Sequence, residues 1–80
     1  MNWSEITNDW PTWAERMRQV YPYLEARRMR HAPENRHEFE EHLAATHNLS
    51  LDEAHEEVED FLVFRAPLQE QARSGRYSHH

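Results

Sequence analysis

The chain has 80 residues, one Gly against four Pro, no Cys and a formal net charge of −6, which limits it to one domain with a modest core and excludes disulfides and thiolate metal sites. Residues 1–36 carry six Arg against five acidic residues, and residues 37–80 carry three Arg against ten, so the second half has the wrong sign for broad binding to nucleic acid or to an anionic membrane. No apolar run approaches a bilayer span, and Met1-Asn2-Trp3-Ser4-Glu5 lacks the basic start and hydrophobic stretch of a secretory signal, so the expected location is cytoplasmic.

Scarce Gly with abundant Ala, Leu, Glu and Arg points to helices. In chain order, Trp3 and Ile6 suit one side of a short lead-in turn, with Ser4 as its N-cap. Asp9-Trp10-Pro11 suits a helix start, because Pro is tolerated in the first turn and Asp complements the N-terminal dipole. Trp10, Trp13, Met17, Val20 and Leu24 then recur at three- and four-residue steps as one apolar stripe. Pro22 ends that helix near Val20 or Tyr21. Residues 23–31 read as a second, short helix, with Tyr23, Leu24 and Met29 inward. A third runs from about Pro33 to Thr46, with Phe39, Leu43 and Thr46 inward and Glu38, Glu40, Glu41 and His42 outward.

The stretch Thr46 to Ala54 is the best-defined signal. Asn48 tolerates the left-handed conformation that ends many helices. Ser50 and Glu53 have capping-box spacing, and Leu49 suits a hydrophobic staple onto Ala54. The fourth helix starts at Leu51, carries Ala54, Val58, Phe61, Leu62 and Phe64 as its stripe, and ends near Arg65 ahead of Pro67. Residues 67–80 read as a flexible tail, and His79-His80 are either native or a remnant of a tag.

The seven His residues do not make a metal site on this pattern. His37, His42 and His47 step by five, which turns each well away from the last on a helix. The pairs His37–Glu41, Glu38–His42 and His55–Glu59 have i,i+4 spacing but lack a third ligand, and read as surface pairs worth about 0.2–0.5 kcal/mol. The acidic run Glu53, Glu56, Glu57, Glu59, Asp60 reads as the wet face of a helix; no nucleophile, oxyanion hole or phosphate loop accompanies it. The arginines Arg16, Arg18, Arg27, Arg28, Arg30 and Arg36, with Tyr21 and Tyr23, are the strongest binding hint, since Arg and aromatics suit protein interfaces, phosphate contact and base stacking. Pairing with the many Glu residues is the competing explanation.

The opening Met1-Asn2-Trp3, Ile6 and Trp10, then Asn35-Arg36 before Phe39 and Leu43, then Leu49-Ser50, Glu53-Ala54, Val58 and Phe61 resemble the CsbD-like bacterial stress-response proteins, without a gap from Met1 to about Phe61. The family has Gly where this chain has Asn48. It is Lys-rich in the first long helix, where this chain has Arg and Pro11. Its acidic run is replaced here by Ala26-Arg27-Arg28, and its central Gly-Lys pairs by Glu34-Asn35 and Glu41-His42. The hydrophobic frame is kept and the surface is rewritten. The resemblance implies a compact all-α domain of short helices in an orthogonal, SAM-like arrangement, expression tied to general stress, and no reaction or catalytic residue.

The expectation is therefore an all-α bundle of four to five short helices over residues 1–66, with a core of Trp10, Trp13, Met17, Leu24, Phe39, Leu43, Leu49, Val58, Phe61 and Leu62. It is a monomeric, non-catalytic stress-response protein without cofactor, metal or membrane. The alternative is an adaptor or inhibitor that binds a protein partner through Arg16, Tyr21, Tyr23, Arg27, Arg28 and Arg30; nucleic-acid binding through the same surface is the less favoured third reading.

Overall fold

The structure, a computed structural model, describes residues 1–70. It is an all-α bundle: α1 spans Trp3–Asn8, α2 Trp10–Val20, α3 Arg36–His47 and α4 Leu51–Asp60. A 3₁₀ turn at Arg28–Arg30 lies between α2 and α3, and a π turn at Phe61–Arg65 continues α4. Among the described residues there is no strand, and no helix is long and apolar enough to cross a membrane.

Local side chains set the helix ends. Asn2, not Ser4, caps α1: the Glu5 N–H donates to its Oδ1 (2.9 Å), and the Asn2 N–H donates to Glu5 Oε1 (3.1 Å). Both residues are competent caps, but only Asn2 has an acid three positions on to close a capping box. Pro11 sits in the first turn of α2, which stops at Val20 before Pro22. Asn35 caps α3 by accepting from the Glu38 N–H (2.8 Å), so α3 starts at Arg36 and leaves Pro33 in the connection. Asn48 is left-handed (φ 56, ψ 44) at the end of α3. Ser50 then makes both arms of its capping box with Glu53, at 3.0 and 2.8 Å.

Residues 23–31 do not form the expected second helix. Two of their backbone donors are drawn sideways: the Tyr23 N–H donates to His47 Nε2 (3.3 Å) and the Glu25 N–H to His42 Nε2 (3.0 Å). Only the Arg28–Arg30 turn is regular.

The core gathers one stripe from each element. Ile6, Trp13, Met17, Leu24, Phe39, Leu43, Val58, Phe61 and Leu62 are buried, and Leu49 is half-buried against them. The Trp10 indole N–H donates to the Met29 carbonyl (2.8 Å), which satisfies a buried donor and pins the 3₁₀ turn to α2. The Trp13 and Phe61 rings meet edge to face with centroids 5.9 Å apart. Trp3 is half-buried, packed on Phe39 (5.3 Å) and Trp10 (6.2 Å). Each large side chain fully buried here stabilises the fold by about 1.5–3 kcal/mol.

The end of α4 departs from expectation. A regular helix would follow buried Ala54, Val58 and Phe61 with an inward residue at 64 or 65. Instead Phe64 and Arg65 are exposed and Ala66 is the next buried side chain. The π turn accounts for this, with the Ala66 N–H bonded to the Phe61 carbonyl five residues back; the extra residue per turn shifts the inward stripe by one position. Pro67 does not end the helix, and residues 66–70 remain helical. In an α-helix its ring would clash with the carbonyl four residues earlier and it would offer no N–H; the wide turn just before it absorbs that conflict. The Leu62 carbonyl, five residues before Pro67, accepts instead from the Met1 amine (3.3 Å). The remainder of the expected tail, with Ser74-Gly75 and His79-His80, lies outside the described residues.

Phe61 and Phe64, three positions apart, should therefore respond oppositely to truncation. Phe61→Ala is expected to lose about 3–5 kcal/mol in urea unfolding, and Phe64→Ala to stay within about 0.5 kcal/mol of the parent. Similar losses at both positions would contradict the π register.

Candidate interaction surface

The six residues that the sequence offers for partner binding divide into two groups. Arg16 is half-buried, its guanidinium 4.5 Å from the centre of the Trp13 ring and 3.3 Å from Glu70 Oε1. Tyr21 is buried and its hydroxyl reaches the carbonyl and Oε1 of Glu57, both at 3.3 Å. Burial, with the nearby Glu57 carboxylate, pushes the Tyr21 pKa up to about 12. Both side chains are engaged within the fold. Tyr23, 71 % exposed, and Arg27, Arg28 and Arg30 lie outside on the α2–α3 connection. Among the described residues Arg28 makes an exposed pair with Glu25 (3.7 Å), a contact of little energetic weight. Arg30 joins Arg18 on the rim of an open groove of about 490 Å³ between α2 and this connection, floored by Ala14 and Met29.

That connection is held by two imidazoles of α3. His42, expected outward, is buried. Because its Nε2 accepts the Glu25 N–H, the ring is neutral with its proton on Nδ1. Burial lowers the His42 pKa, Arg28 and His47 lower it further, and Glu25 opposes them. His47 Nε2 accepts the Tyr23 N–H in the same way, and its ring packs against Tyr23 (5.4 Å) and Tyr21 (5.9 Å).

Glu40, also expected outward, is buried where α3 meets α4. Its Oε2 receives Arg36 Nε (2.7 Å) and His55 Nδ1 (2.9 Å). Arg36 also reaches Glu59 Oε1 (2.6 Å) and the His55 carbonyl (3.3 Å). Burial alone would lower the Arg36 pKa, but the hydrogen bonds to Glu59 and Glu40 outweigh it, and the pKa is raised. The same guanidinium holds the Glu59 carboxyl below its usual range. These groups tie two helices together. Among the described residues, no three His, Asp or Glu side chains gather as metal ligands.

A second outward region was not singled out from the sequence. Val63 (54 %), Phe64 (63 %) and Leu68 (64 %) are exposed along the end of the last helix. The available signal was the unbroken run Phe61-Leu62-Val63-Phe64. Four consecutive helical residues spread through about 300°, so they cannot all face one core. Which of them turn outward depends on the π turn. Phe64 and Leu68 lie one above the other at i,i+4 spacing, and Glu56 and Asp60 continue the same row toward the start of α4.

Comparison with protein-family models, curated proteins and solved structures finds no match to this chain.

The neutral, buried His42 predicts a pH dependence. Above about pH 6.5 the ring is neutral folded and unfolded, and its contribution is intact. As pH falls through that value the unfolded chain takes up the proton first, so stability declines until pH passes the depressed folded pKa. The urea midpoint should drop between about pH 8 and pH 5, and drop less in His42→Gln, whose Oε1 can accept the Glu25 N–H. Parallel curves for the two proteins would contradict this assignment.

Proposed function

We propose that the chain is a non-catalytic stress-response protein of the CsbD-like kind, acting in the bacterial cytosol by docking another protein on its surface. The observation that carries the docking half is the row of exposed apolar side chains at Val63, Phe64 and Leu68 in a chain with so little apolar surface to spare. The family half is supported by where the apolar residues behind the resemblance lie: Ile6, Trp10, Phe39, Leu43, Ala54, Val58 and Phe61 are buried, and Met1, Trp3 and Leu49 are half-buried against them. The exposed edge of Tyr23, Arg27, Arg28 and Arg30 favours a second reading, an adaptor or inhibitor whose partner is acidic there. Nucleic acid on that edge is opposed by the net charge of −6.

The test places a photo-cross-linking amino acid at position Leu68, or at exposed Ala45 on α3 as the control, and follows the protein in its host before and after osmotic or oxidative shock. The expected result is a rise in protein level and one discrete cross-linked band from position 68. A level that does not respond to shock would overturn the stress half. Equal, diffuse labelling from the two positions would overturn the docking half.

A further inference from the structure

We infer that the row Glu56, Asp60, Phe64 and Leu68, with Val63 beside it, is a docking ridge for an amphipathic helix of another protein whose apolar stripe is flanked by Lys or Arg. This rests on the docking reading above and adds the chemistry of the partner.

Three observations support it. First, the row is continuous. Residues four apart on an α-helix drift sideways by about 40° per step, and the wide turn at Phe61–Arg65 reduces that drift where it would carry Phe64 away from Asp60. Such turns recur at functional sites. Second, the acids at its head form no ion pair among the described residues. Glu57 accepts from Tyr21 and Glu59 is paired with Arg36, but Glu56 and Asp60 make no ion pair or hydrogen bond among the described residues. Two exposed carboxylates leading into exposed apolar side chains complement a partner that presents cations beside an apolar stripe. Third, the alternatives fit less well. Phosphate-bearing surfaces, whether nucleic acid or anionic lipid, meet carboxylates of the same sign. A second copy offers fewer cations where they are needed: Arg27, Arg28 and Arg30 lie on a connection and a three-residue turn, Arg18 lies on α2, whose apolar stripe is buried, and among the described residues Arg65 alone stands beside exposed apolar side chains on a helix. Three apolar side chains make a small contact, of the size found in weak, transient complexes.

The test titrates the full chain into a dye-labelled Leu/Lys peptide with leucines at i, i+3, i+4 and i+7, read by fluorescence anisotropy at low and high salt. Controls are the same composition in scrambled order and a Leu/Glu counterpart. Two double variants accompany it: Phe64→Ser with Leu68→Ser, and Glu56→Gln with Asp60→Asn. All four positions are exposed, and circular dichroism checks that folding is retained. The Leu/Lys peptide is expected to bind more tightly than either control. The apolar pair of substitutions should weaken binding roughly tenfold, and the acidic pair should weaken it less while flattening the salt dependence. Leu/Lys binding that neither pair changes would overturn the inference. Equal binding by the Leu/Glu peptide would overturn the partner chemistry, while a discrete cross-link at position 68 kept the docking reading. Concentration-dependent dimerisation of the free protein, abolished by Phe64→Ser with Leu68→Ser, would replace the partner with a second copy and also overturn it.

Discussion

Pro67 cannot donate a backbone hydrogen bond, and the helix that carries it has to absorb that deficit. A break would give up the burial of Ala66 and the end of the core. The chain instead widens by one residue over Phe61–Arg65, passes through Pro67 and stays helical to residue 70. Everything at that end of the molecule follows from the shift. Phe61 and Leu62 keep their inward places, Ala66 takes the next one, and Val63 and Phe64 are turned to water. The Leu62 carbonyl, left open to another donor, takes the Met1 amine, so the first residue is tied to the last helix.

The other end of the core depends on polar contacts that join distant segments. Trp10 holds the Met29 carbonyl, His42 and His47 hold the connection after α2, and Glu40 is shared between Arg36 and His55. Each is a buried or half-buried polar group with its partner in place, the condition under which such groups specify one arrangement and do not weaken it. The connection presents exposed Arg27, Arg28 and Arg30, and α4 presents exposed Glu56 and Asp60.

What was legible in the sequence was local. Asn48, Ser50 and Glu53 act on neighbours within a few residues, so their spacing foretold both the left-handed helix end and the capping box. The Trp10–Trp13–Met17 stripe was legible because α2 is regular, and Pro22 marked where it stops. The illegible parts needed a partner far along the chain. His42 and Glu40 read as wet-face residues until the Glu25 N–H and the His55 ring reach them. Tyr21 read as a surface aromatic until its hydroxyl meets Glu57, 36 positions away. Arg16 carried a usable hint, since it lies three residues from Trp13 and such spacing stacks a guanidinium over a ring. Phe64 is misplaced by a constant helical period carried to an end near Arg65, whereas the period widens from Phe61 and the helix passes through Pro67.

The register changes at Phe61–Arg65 and turns Phe64 outward while Phe39 and Phe61 stay buried. The chain has three Phe residues, so uniform labelling with 4-fluorophenylalanine gives three ¹⁹F resonances, assigned by substitution one at a time. The most direct measurement is the change of each shift between H₂O and D₂O. A solvent-isotope shift is expected at position 64 and almost none at 39 and 61. A shielded ring at 64, or a solvent-responsive ring at 61, would contradict the register and the ridge built on it.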